Sequence, residues 1–189
     1  MKHHEFIEAV EDSPVITAVK DMEGLNKCFG SESRVVFVLF GDICNIADIV
    51  EAIKNHHKIA MVHLDLITGL SCKEIAVDFI KKYTRADGII STKQLLIKRA
   101  KELGMYTVFR FFAIDSMAYE NISKQLNAVR SDYVEVLPGV APKVIQKITR
   151  TISVPVIAGG LIAEKEDVMA MLSNGATSIS TTNQKLWFI

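Results

Sequence analysis

The chain has 189 residues, 49% of them hydrophobic, and its 22 Lys+Arg are balanced by 22 Asp+Glu. That length fits one globular domain with a substantial core, and a formal net charge of zero excludes a protein that coats nucleic acid by bulk charge, leaving only a local basic patch open. The three cysteines, Cys28, Cys44 and Cys72, are odd in number and widely spaced. They fit neither a disulfide framework nor a zinc ribbon and point to a reducing, cytoplasmic setting.

In chain order, "MKHHEFIEAVEDSP" has no apolar signal core, and no later stretch is long and apolar enough to span a bilayer. Eight strand-like runs follow: "PVITAVK" (14–20), "RVVFVLFG" (34–41), "KIAMVHLDLI" (58–67), "ADGIIST" (86–92), "MYTVFRFFA" (105–113), "YVEVLP" (133–138), "VPVIAGG" (154–160) and "TSISTT" (177–182). Their Val, Ile and aromatic content suits a buried pleated surface. Helical stretches lie between them. "SCKEIAVDFIKKY" (71–83) offers Ser71 as a cap, Glu74 three residues on, and Ile75, Phe79 and Ile80 on one face. "TKQLLIKRAKELG" (92–104) ends at Gly104, a good stop signal. "DSMAYENISKQLNAVR" (115–130) and "APKVIQKITRTI" (141–152) complete the set.

Regular alternation of strand and helix predicts a parallel sheet with helices outside. Eight units predict a closed (β/α)8 TIM barrel over residues 1–189 as a single domain, with an open doubly wound sheet as the runner-up. Only "NQKLWFI" follows the eighth strand, so the last helix is shortened.

In such a barrel the site lies at the C-terminal strand ends. There the sequence places Lys20, then His63 and Asp65, Arg110 between aromatics, and Glu135 inside "YVEVLPG". Charges in β-rich runs are costly unless paired or bound to something. Lys20, Asp65, Arg110 and Glu135 are expected to meet over the barrel axis, either as an internal salt-bridge cluster or as the floor of a small polar ligand's site. His63 with Asp65 has no third ligand at a spacing that would hold a metal, so no metal is expected. His56 and His57 precede a strand at the opposite end and read as solvated. Gly159 and Gly160 end the seventh strand, where such barrels often bind phosphate together with the loop after the eighth. Ser180, Thr181 and Thr182 add hydroxyl groups beside them. A turn that only glycine can make explains the pair equally well.

The pieces "PVITAVKD", "VLFGDI", "HLDLITGL", "DGIISTK", "EVLPGVAPKVI", "PVIAGGLI" and "STTNQKLW", in this order and over nearly the whole chain, resemble the glycerol-uptake operon antiterminator regulatory proteins. That resemblance implies a compact barrel that is not an enzyme and carries no cofactor. It implies a regulator with glycerol 3-phosphate as effector, acting on the leader mRNA of glycerol-metabolism genes to prevent termination and stabilise the message. On that ligand, strand position assigns Gly159, Gly160, Ser180 and Thr181 to the phosphate. It assigns Asp65 and Glu135 to the glycerol hydroxyls, and Lys20 and Arg110 to charge balance.

No RNP-type aromatic motif or KH-type glycine loop is present. The best basic surface joins Lys81, Lys82 and Arg85 at the end of one helix with Lys98, Arg99 and Lys101 on the next. Lys143, Lys147 and Arg150 form a second stripe, and either set also reads as a solvated helix face. The alternative is an enzyme acting on a small sugar phosphate (isomerase, aldolase or phosphodiesterase), for which Lys20, Asp65 and Glu135 would supply acid–base or Schiff-base chemistry. The apolar tail, with Trp187 and Phe188, suggests cover by a homo-oligomer.

Overall fold

The computed structural model describes residues 2–189, apart from the side chains of residues 2–4, 116, 119–121, 123 and 127. Eight parallel strands close a barrel in sequence order: β1 (Val15–Val19), β2 (Val35–Val38), β3 (Ile59–His63), β4 (Gly88–Ser91), β5 (Tyr106–Phe112), β6 (Tyr133–Leu137), β7 (Val156–Gly159) and β8 (Ser178–Thr181). The ring shuts where β8 pairs with β1, Ile16 opposite Ser180. All eight apolar runs therefore become strands, trimmed at their ends. The longest, 58–67, is strand only to His63 and then tightens into a 3-10 turn, Leu64–Leu66.

Strand period and burial divide the core in two. Ile16, Ala18, Phe37, Ile59, Met61, Ile90, Val108, Tyr133 and Ile157 fill the barrel interior. Their neighbours one residue away, such as Val19, Val36, Val62 and Val134, join the larger layer packed against the outer helices. Those helices are α2 (Met22–Cys28), α3 (Ile46–Asn55), α4 (Ile75–Tyr83), α5 (Gln94–Glu102), α6 (Ser116–Ala128), α7 (Pro142–Thr151) and α8 (Lys165–Ser173). Asp21 and Asp115 cap α2 and α6 by accepting from the N–H groups of Gly24 and Ala118, both at 2.7 Å. Gly104 follows α5 at φ 66°, the left-handed geometry expected of a helix stop.

Three departures from the sequence reading have clear causes. The stretch 71–83 becomes helix only from Ile75: Ser71 Oγ accepts from Lys73 N–H in the preceding turn, and Glu74 makes no side-chain cap. An additional helix, α1 (Lys2–Asp12), precedes the first strand. Its buried residues Phe6, Ala9 and Val10 join the interior cluster, and Phe6 stacks on Tyr106 with ring centroids 4.7 Å apart. Phe6 also meets Tyr133 edge-on at 5.2 Å, and since Tyr106 and Tyr133 begin β5 and β6, α1 stoppers that end of the barrel. The stunted last helix is a 3-10 segment, Gln184–Phe188. Leu186 and Trp187 bury against the chain itself, and Lys27 Nζ reaches Gln184 Oε1 at 2.8 Å. Of the tail's four apolar residues, Phe188 and Ile189 stay exposed, less apolar surface than its sequence promises.

Candidate functional site

Apart from Ser178 and the tyrosines Tyr106 and Tyr133, the interior is apolar until the last layer before the C-terminal mouth. There β5 and β6 set Arg110 opposite Glu135 in register, and Arg110 Nε donates to Glu135 Oε2 at 2.5 Å. Ser180 Oγ donates to the other carboxylate oxygen, also at 2.5 Å. Arg110 is 8% exposed and Glu135 is 1%, so each charge depends on the other in a medium where separation is costly. A cavity of about 490 Å³ opens above them, bounded by Leu39, Leu137, the turn Gly160–Ala163 and residues 180–183. That volume suits a small ligand. A larger depression of about 640 Å³ lies at the opposite end, lined by Ile7, Arg130, Asp132 and Pro155. None of the strand-end site candidates lines it, and in barrels that face serves stability.

The two adjacent glycines have separate reasons to exist. A Cβ on Gly159 would sit 2.7 Å from Glu135 Oε1 and closer still to Ser180 Oγ, so Gly159 makes room for the ion pair. Gly160 takes φ 78°, and Leu161 after it takes φ 62° although it has a side chain. These two left-handed residues swing the backbone across the cavity wall. Gly139, which the sequence reading passed over, completes the packing. Its N–H donates to Gly159 O at 2.6 Å, and a Cβ there would lie 2.6 Å from Gly159 N. No local signal marks Gly139, because its partner lies on the next strand.

The loops after β7 and β8 are tied together. Thr181 Oγ1 donates to Ile162 O at 3.1 Å, Asn183 Nδ2 to Ala163 O at 2.7 Å, and Trp187 Nε1 to Thr181 O at 2.8 Å. The Thr181 hydroxyl is thus engaged in holding the loop, although the residue lines the cavity. Asp167 accepts from the N–H groups of Ala163 and Glu164, so the start of α8 is already capped by a carboxylate.

Four charged residues were expected over the axis; the structure joins only Arg110 and Glu135. Lys20 lies just past β1, exposed and outside the cavity lining, because Asp21 turns the chain into α2. Asp65 does not share a strand face with His63. The 3-10 turn carries it to the end of β4, where it accepts from Ser91 Oγ at 2.8 Å and from Thr92 N–H and Oγ1 at 2.7 Å each. Burial pushes the Asp65 carboxyl up, but these bonds, with His63 nearby, hold it below the usual carboxylate range. His63 is 2% exposed. Burial first, then the Arg110 charge, push its imidazole down to about 4, against an opposing pull from Asp65. Among the described residues no group of three or more His, Cys, Asp or Glu side chains could hold a metal ion.

The outer basic residues are partly spent. Arg85 pairs with Glu51 at 2.9 Å, Arg99 with Asp78 at 2.6 Å and Glu102 at 3.0 Å, and Lys101 with Asp132 at 2.8 Å. Lys81, Lys82 and Lys98 remain exposed on α4 and α5, with Lys82 Nζ 5.0 Å from the Tyr83 ring centre. At the opposite end His56 stacks on Phe29 with ring centroids 3.7 Å apart, so it is exposed but not simply solvated.

A closed ring of eight parallel strands alternating with outer helices defines a (β/α)8 barrel protein. The model of the glycerol-3-phosphate responsive antiterminators matches residues 15–187, and the chain belongs to that family. It is 42% identical over 181 residues to the uncharacterized protein YgcP of Escherichia coli K12, covering 96% of this chain and 95% of that one. Among solved structures it is similar to the glycerol uptake operon antiterminator regulatory protein of Listeria monocytogenes, at 33% identity and TM-score 0.88 over 92% of this chain and 94% of that one. It is also similar to a glycerol uptake operon antiterminator-related protein of Thermotoga maritima, at 38% identity and TM-score 0.82 over 93% and 98%.

Proposed function

We propose that this chain is a glycerol 3-phosphate sensor that, when loaded, binds the leader mRNA of glycerol-metabolism genes, prevents premature termination and stabilises the message. The observation that carries this reading is the cavity over the Arg110–Glu135–Ser180 layer, walled by a glycine turn, in a chain of this family. Backbone N–H groups of such a turn suit an anion. The phosphate would lie on the Gly160 turn beside Ser180 and Thr181, with Gly159 keeping room beneath. Arg110 balances part of its charge, and Lys20 contributes by folding inward over the rim. Glu135 and Asp65 accept from the glycerol hydroxyls with lone pairs that their protein partners leave available.

RNA contact is assigned to Lys81, Lys82 and Lys98, with Arg85 and Arg99 contributing as far as their acidic partners allow. Residence in the cytoplasm follows from that partner. Among the described residues no helix is long and apolar enough to cross a membrane. Self-association rests on the exposed Phe188 and Ile189 and is read by light scattering.

Calorimetric titration with glycerol 3-phosphate tests the reading. Binding without turnover, abolished in Gly160→Glu, followed by ligand-dependent retardation of leader RNA, is the expected result. Turnover of a phosphorylated compound would replace the sensor with a barrel enzyme, and absence of binding would remove the effector.

A further inference from the structure

The polar side chains around the mouth are almost all engaged within the protein. Ser180 serves Glu135, Glu135 serves two donors, and Asp65 accepts from Ser91 and Thr92. His63 is the exception. Its Nδ1 is buried and has no hydrogen-bond partner, a costly arrangement unless something completes it. The direction of the ring follows from strand period. Ile59 and Met61 belong to the interior cluster, so His63, two residues on and last in β3, points into the barrel at its C-terminal end. It lies near enough to Arg110 and Asp65 to feel both charges.

Strand order fixes where His63 stands relative to the glycine turn. In the ring β1 to β8, β3 and β7 are four strands apart and so face each other across the mouth. The cavity lining runs from the Gly160 turn to Arg110, Ala18 and Leu39 and leaves His63 just beyond it, so a ligand with its phosphate on the Gly160 turn reaches Nδ1 when its other end passes Arg110 and the ring turns toward it. Burial first, and then the Arg110 charge, disfavour a second positive charge at His63, which leaves a neutral imidazole suited to a hydroxyl rather than to a phosphate.

Resting on the sensor reading above, we propose that His63 is a specificity residue of the site, hydrogen-bonding through Nδ1 to a hydroxyl of the bound phosphoglycerol. It reads the polyol end of the ligand, while the opposite wall reads the anion.

The test compares wild type, His63→Leu and His63→Gln by calorimetry with glycerol 3-phosphate and with inorganic phosphate, after thermal melts show that each variant is folded. Loss of one hydrogen bond predicts about tenfold weaker glycerol 3-phosphate binding in His63→Leu, with phosphate affinity within about twofold of wild type and His63→Gln in between. A second measurement needs no variant: the His63 Nδ1 nitrogen resonance of wild type should shift with glycerol 3-phosphate and stay in place with phosphate. Unchanged glycerol 3-phosphate affinity in His63→Leu together with a static resonance overturns the assignment and leaves the sensor standing. Equal losses for both ligands place His63 at the anion end and overturn it as well. A wild type that binds no glycerol 3-phosphate fails the sensor reading itself, and this assignment with it.

Discussion

Replacing Glu135 with leucine removes one partner from a buried pair and leaves the other charged. Arg110, 8% exposed, would lose the acceptor that its Nε holds at 2.5 Å, and Ser180 would lose the same carboxylate. Breaking a buried pair from one side costs about 3–5 kcal/mol, because the orphaned charge keeps its desolvation penalty. In a chain of this size that lowers Tm by roughly 6–20 °C, at about 2–4 °C per kcal/mol. Removing both charges, Arg110→Met with Glu135→Leu, leaves no orphan and should recover all but about 1–2 kcal/mol. Urea titrations followed through Trp187 emission give the four corners of the cycle. A Glu135→Leu loss below about 1 kcal/mol, or a double variant as unstable as the sum of the singles, would refute the buried pair. The exposed Arg85–Glu51 pair supplies the contrast, and Arg85→Ala should change stability by no more than about 0.5 kcal/mol.

Phe6→Ala should cost about 3–5 kcal/mol in the same titrations, since Phe6 is fully buried against the interior cluster; a near-neutral result would mean that α1 does not plug the barrel. Gly159→Ala, which forces a Cβ against Glu135 and Ser180, should cost about 1–3 kcal/mol and weaken ligand binding, whereas Gly104→Ala, with nothing within 4 Å, should lose only about 1 kcal/mol to backbone strain and leave binding intact. Acid should weaken the fold. The His63 imidazole sits at about 4 in the fold against 6.5 unperturbed, so within that window the unfolded chain binds the extra proton and stability falls as pH falls. Unfolding free energies from urea titrations at pH 7.5 and 5 should differ by about 2 kcal/mol from this residue, and His63→Asn should flatten the difference. Asp65, held below its usual range, adds a separate loss at lower pH as its carboxylate takes up a proton.

The barrel was legible because fully buried parallel strands read as unbroken apolar runs, with no partner needed to recognise them. Arg110 and Glu135 were legible for the same reason: a charge inside such a run must find a counterpart. Lys20 and Asp65 were misplaced because alternation stops where the strand stops. Asp21 capping α2 turns Lys20 outward, and the 3-10 turn at Leu64–Leu66 carries Asp65 toward Ser91 and Thr92. Arg85 and Arg99 read as a free basic patch because Glu51 and Asp78 lie 34 and 21 residues away in the chain. Helix α1 escaped notice because Phe6, Ala9 and Val10 make a short stripe that matters only once a barrel end is there to receive it.

That first helix also governs traffic. With Phe6 packed against Tyr106 and Tyr133 and the interior filled up to the polar layer, the barrel is a well rather than a tunnel. Whatever occupies the space above Glu135 arrives and departs through one doorway. Any macromolecule that settles across the doorway would lengthen the stay of what lies beneath it, and by reciprocity its own hold would tighten when the well is occupied.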